Sequence, residues 1–147
     1  MDVTQMTTYQ AAVIQARAHR VLKTKISYFL RDHGLTMMQW SIIGFVHQAG
    51  PQGIRISDIA HELDTSLAFI TTSINVLEAK GFVKRDSHAH DNRAKLVRLT
   101  DDFQPKVAEI EKDLRKKASG WIRTAVTNDD IVTYLRVLTQ IAKAGDK

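Results

Sequence analysis

At 147 residues the chain has the size of one domain and can bury a sizeable core. It carries 21 Lys and Arg against 16 Asp and Glu, a net charge of +5, which favours a polyanionic partner only weakly because net charge also serves solubility. There is no cysteine, which excludes disulfides, thiolate zinc sites and thiol redox sensing. No apolar window reaches the roughly 18 residues of a transmembrane helix, and Met1 to Thr8 lack the basic and apolar regions of a secretory signal. The expected location is cytoplasmic, with no membrane partner.

In chain order, apolar residues recur at helical spacing from Tyr9 to about Arg31, through Ala12, Val13, Ala16, Leu22, Ile26, Phe29 and Leu30. Arg17, Arg20, Lys23 and Lys25 fall mainly on the other side, and Gly34 is placed to stop this helix. Met38, Ile42, Ile43 and Val46 predict a second helix ending near Gly50-Pro51. Ile54-Arg55-Ile56 reads as a very short strand, followed by a short helix with Ile59, Ala60 and Leu63 inward. Ser66 is the expected N-cap of the next helix, which buries Ile70, Ile74 and Leu77 and ends at Gly81.

Phe82-Val83-Lys84-Arg85 and Lys95-Leu96-Val97-Arg98-Leu99 predict two strands joined by a polar loop from Asp86 to Arg93. Thr100-Asp101-Asp102 then opens a long helix, its acids suited to the positive end of the dipole and Pro105 tolerated in the first turn. Val107, Ile110, Leu114, Trp121 and Ile122 form its apolar stripe. Thr127 or Asn128 caps a last helix through Ile131, Leu135, Leu138 and Ile141. Long amphipathic terminal helices in so short a chain find their cover most easily on a second copy, which predicts a two-fold homodimer.

A helix that runs at once into a basic hairpin is the plan of a winged helix-turn-helix, whose second helix enters a DNA major groove. The outward face of that helix offers Ser66, Thr71, Thr72 and Asn75, with Leu67 and Ala68 near its entry end. Asn can grip adenine through two hydrogen bonds, and Thr or apolar groups can meet a thymine methyl. Phe69 is expected in the core. The hairpin adds Lys84, Arg85, Arg93, Lys95 and Arg98 against only Asp86 and Asp91, a basic arm for phosphates. Arg93 can enter a narrow minor groove, with Asp91 orienting its guanidinium. The expected partner is double-stranded DNA.

These residues carry a resemblance. The Ser-capped helix, Leu77-Glu78-Ala79-Lys80-Gly81-Phe82-Val83-Lys84-Arg85, Asp91-Asn92-Arg93, Leu99-Thr100 and Trp40 set before a Ser41-to-Val46 helix resemble the MarR family of bacterial transcriptional regulators. The resemblance implies a mainly α fold with an α+β wing, one domain over residues 1–147. Its winged helix-turn-helix lies at about 36–100, flanked by dimerisation helices at about 8–33 and 101–144. It also implies a homodimer on a pseudo-palindromic operator, usually repressing, and a small aromatic or anionic effector that changes the spacing of the reading heads. By position Arg93 becomes the minor-groove residue and Asp91 its positioner. Where many relatives carry Arg on the reading helix this chain has Thr72, which argues for A·T-rich or shape-based recognition.

Tyr28, Arg31, Trp40 and His47 are candidates for an effector cleft, Arg31 pairing a carboxylate and Trp40 stacking. No phosphate loop or nucleophile elbow is present, so no enzyme and no cofactor are expected. His88 and His90 with Asp91 suggest a zinc site only if a further ligand exists; a loop tip near phosphate is the simpler reading. The alternative functions are a winged-helix protein-interaction module and a metal-responsive regulator.

Overall fold

The computed structural model describes residues 2–88 and 91–146, with the side chains of residues 87, 88 and 91–94 outside the description. Helix α1 runs Thr8–Leu30, closed at its start by a capping box between Thr7 and Gln10. A 3-10 turn, Arg31–His33, follows and ends at Gly34, whose φ of 68° lies in the left-handed region that glycine adopts without strain. α2 is Met37–Ala49, and a second capping box pairs Thr36 Oγ1 with Gln39 N at 3.1 Å and Gln39 Oε1 with Thr36 N at 3.0 Å. That cap starts the helix before Trp40, which lies inside its first turns rather than ahead of it.

The expected short strand is β1, Ile54–Arg55, with Ile56 already the first residue of α3, Ile56–Glu62. α4 is Leu67–Ala79, capped by Ser66, whose hydroxyl accepts from Phe69 N at 3.1 Å. β2, Val83–His88, and β3, Asp91–Leu99, complete an antiparallel sheet ordered β1-β3-β2. Most of the polar stretch from Asp86 to Arg93, expected as loop, is therefore strand. An antiparallel hairpin keeps its backbone ladder whatever the polarity of its side chains, so polar composition alone does not signal a loop.

α5 starts at Lys106, not at Thr100. Residues 101–105 form turns instead: Thr100 Oγ1 accepts from Phe103 N at 3.3 Å and Thr100 O from Gln104 N at 2.9 Å. Phe103 is thereby turned inward to stack on Phe82, centroids 4.2 Å apart, and Pro105 sits at the boundary, where no N–H is needed. α5 ends at Ile122, and α6, Asn128–Gly145, is capped by Thr127 in a box with Asp130.

One core joins the elements. Leu30 of α1, Ile42, Ile43 and Val46 of α2, Ile59 of α3, Ile70, Ile74 and Leu77 of α4, Val83 and Val97 of the sheet, and Val107, Ile110 and Leu114 of α5 are all buried. The helix-turn-helix and wing are thus welded to the ends of α1 and α5. α6 has no buried residue within the single chain. Among the described residues, no helix is long and apolar enough to cross a membrane.

Candidate nucleic-acid interface

The stripe Ile70, Ile74 and Leu77, spaced i, i+4, i+7, fixes which side of α4 faces inward. Ser66, Leu67, Ala68, Thr72 and Asn75 are consequently exposed, and Thr71 is half-buried. Phe69, expected in the core, is 47% exposed. It sits one residue, about 100° around the helix, from Ile70, and the buried stripe is already filled by aliphatic side chains.

The hydroxyls of this face are not idle. Thr71 and Thr72 donate to the carbonyls of Leu67 and Ala68 at 2.9 and 3.0 Å, and Ser73 donates to that of Phe69 at 3.0 Å. Asn75 Oδ1 accepts from Arg85 Nη2 on β2, and Arg85 Nε lies 4.0 Å from Glu78 Oε2. The wing and the helix are therefore joined by a polar bridge, a pairing that helical periodicity does not signal.

Sheet register sorts the wing cations. Val83 pairs with Leu99, Arg85 with Val97 and Ser87 with Lys95, so Arg85 and Lys95 share the face of the hairpin that turns Val83 and Val97 into the core. Lys84 lies opposite Arg98 on the other face, where Arg98 Nε is 3.2 Å from Asp86 Oδ2. Lys84 and Arg98 border a cavity of about 240 Å³ with Gly50, Pro51, Asp101 and Gln104. The structure brings Asn75, Arg85 and Glu78 together and sets Lys84 apart from them. The backbone of Asp91 and Arg93 lies at the start of β3. Their side chains, that of His88 and all of His90 lie outside the described residues, and with them the Asp91–Arg93 pairing and the histidine zinc reading.

Of the effector candidates, Tyr28 and Arg31 line one groove of about 620 Å³ with Arg20, Lys23, Ser27 and Thr36. Arg20 and Lys23 are members the sequence reading missed. Their signal was present, since the stretch Thr8 to Arg31 contains no Asp or Glu at all. Trp40 packs partly against the core, and His47 Nδ1 is 3.3 Å from Gln104 Nε2, so neither joins that groove. A second, apolar cleft of about 570 Å³ lies between the terminal helices, walled by Ile14, Val21, Trp121, Ile131 and Tyr134.

At the junction of the two helical regions, His33 Nε2 meets Asp113 Oδ2 at 2.7 Å, and Lys117 Nζ reaches Asp113 at 2.9 Å and Asp32 at 3.2 Å. The hydrogen bonds from Lys117 and then His33 hold the Asp113 carboxyl below the ordinary carboxylate range. Those from Asp113 and then Asp32 raise Lys117.

The MarR family model matches residues 33–94. Among solved structures, the transcriptional regulator BldR of Sulfolobus solfataricus is 21% identical with a TM-score of 0.78, covering 95% of this chain and 99% of that one. The transcriptional repressor CouR, bound to a 23-mer DNA duplex, is 21% identical with a TM-score of 0.80, covering 92% of each chain. MepR of S. aureus, in a DNA complex, is 18% identical with a TM-score of 0.73, covering 95% and 99%. At these identities the structural likeness is one of fold. The match to the MarR family model covers the helix-turn-helix and most of the hairpin, and over nearly the whole chain the fold is similar to that of these solved regulators.

Proposed function

We propose that this chain is a sequence-specific, DNA-binding transcriptional regulator that acts as a repressor. In this reading the winged unit at about 36–100 reads DNA, and the helices at about 8–33 and 101–144 hold two copies over a pseudo-palindrome. The observation that carries it is α4, whose polar and apolar outer face stands free beside a cationic hairpin within a MarR-family winged helix. Ser66, Leu67, Ala68, Thr71, Thr72 and Asn75 face the major groove. Arg85 and Lys95 approach phosphates on the same side, Lys84 contributes charge from the other, and Arg93, positioned by Asp91, enters the minor groove. The DNA complexes of MepR and CouR support this orientation by analogy of fold.

The homodimer rests on the exposed apolar faces of α1 and α6, where Val13, Val132, Leu135 and Ile141 lie open to solvent in the single chain. A small aromatic or anionic effector fits the groove at Tyr28 and Arg31, where the guanidinium meets a carboxylate and the ring stacks.

The test is binding to the DNA upstream of its own gene, against scrambled duplex, at two salt concentrations. Specific binding about a thousandfold tighter than scrambled is expected. Arg93→Ala weakens binding to all sequences and lowers the salt slope by about one counterion per subunit; an unchanged slope removes Arg93 from the contacts. A second reading, in which the exposed Leu67 and Phe69 dock a protein, is favoured if neither duplex binds.

A further inference from the structure

The outer face of α4 is poor in hydrogen-bond donors. From Ser66 to Ala79 there is no Lys, Arg or His. The hydroxyl protons of Thr71, Thr72 and Ser73 point into the helix's own carbonyls, which leaves those oxygens as acceptors only. Asn75 retains its amide N–H groups, but its oxygen is engaged by Arg85, and a bidentate grip on adenine needs both. Arg85 borders the face from the wing, yet its side chain is only 21% exposed and held between Asn75 and Glu78.

Guanine displays only acceptors, N7 and O6, in the major groove. Among the side chains of α4 and its cap, donors for them remain on Ser66 and Asn75 alone, beside the backbone N–H groups of the helix's first turn. Hydrocarbon is what the face supplies in quantity. Leu67 and Phe69 are 55% and 47% exposed, Ala68 and Thr72 are exposed between them, and each Thr adds a methyl. Thymine is the base that carries a methyl at its major-groove edge.

We infer, building on the DNA-reading role proposed above, that α4 discriminates bases chiefly through thymine C5-methyl groups. Leu67, Ala68, Phe69 and Thr72 are the specificity-determining residues. Hydrogen bonding by Ser66 and Asn75 then sets register, and guanine at the contacted positions is rejected because its acceptors meet hydrocarbon and are left unpaired.

Deoxyuridine separates this mechanism from others, because it keeps the pairing edge and the phosphate charge of thymidine and lacks only the methyl. The probe is a duplex enriched by the protein itself from a random-sequence pool, synthesised with thymine and again with deoxyuridine. Wild type is expected to bind the uracil duplex about fourfold more weakly per contacted position, the value of one buried methyl, with the salt slope unchanged. In Leu67→Ala and Phe69→Ala, whose side chains are exposed and whose folding is checked by circular dichroism, the ratio between the two duplexes falls towards one.

Equal binding of both duplexes by wild type, with preference over scrambled DNA retained, overturns methyl reading and leaves the DNA-binding role standing. A methyl penalty that persists undiminished in both variants assigns the recognition elsewhere and overturns the placement on Leu67 and Phe69. If no sequence is enriched over scrambled duplex, the sequence-reading role itself falls.

Discussion

Gly53 illustrates how much a single position can decide. Its φ is 78°, and an added Cβ would lie 3.0 Å from both Leu96 Cβ and Val97 O. Backbone conformation and space therefore both demand glycine where β1 pairs with β3. Gly53→Ala is expected to cost about 1–3 kcal/mol, measured by urea denaturation. Ser66→Ala, which removes the cap of the reading helix, is expected to cost about 1 kcal/mol by the same measurement and to fray the entry end of α4. Ser66 was legible in the sequence because capping is a local matter, settled within three residues. The Asn75–Arg85 bridge was not, since it joins a helix to a strand through a register that no spacing rule predicts. Phe69 was misplaced for a related reason: hydrophobicity alone nominates it for the core, and only the final angle of the helix leaves it outside.

Among the elements, the helices that open on a capping side chain, α1, α2, α4 and α6, were read most securely, because their apolar stripes repeat over several turns from a marked start. The hairpin was harder. Its outer half is polar on a sheet edge, so composition gave no period to follow, and its strands are longer than the apolar residues suggest. The start of α5 was displaced by a tertiary effect, the stacking of Phe103 on Phe82. The contact between the Arg31–His33 turn and α5 yields a prediction about acid. Asp113 is held below the ordinary carboxylate range by Lys117 and His33. Its pairing therefore stabilises the fold above that range and is lost as pH falls through the lowered value. Asp113→Asn is expected to melt lower than wild type at neutral pH, with the gap closing in strong acid. Thermal melts from about pH 7 down to about pH 2 test this. A gap that is independent of pH would mean that the carboxylate charge contributes nothing.

For the whole molecule, the decisive fact is an imbalance between its two ends. The winged half has a closed core, whereas α6 has no fully buried residue and leaves Val132, Leu135 and Ile141 exposed around it. The proposed dimer covers Leu135 and Ile141. Leu135→Asp combined with Ile141→Asp is expected to leave the winged half folded, yield monomers by analytical ultracentrifugation and sharply reduce affinity for a two-half-site duplex. Dimers that survive both changes would move the interface off α6. Intact monomers that bind the duplex as well as wild type would remove the need for two heads.

Helix α1 has 23 residues without a break, which at 1.5 Å per residue makes a rod about 35 Å long. That is close to one turn of duplex DNA, the distance between half-site centres in two-headed readers, about 34–36 Å. The rod ends at Leu30, and beyond the Arg31–His33 turn Gly34, a left-handed residue with open space around its Cβ position, leads into α2. A tilt of only about 5° at one end of such a rod carries the other end by about 3 Å, nearly the rise of one base pair. In the proposed dimer, angular play of that size would be enough to take a reading head out of step with its half-site.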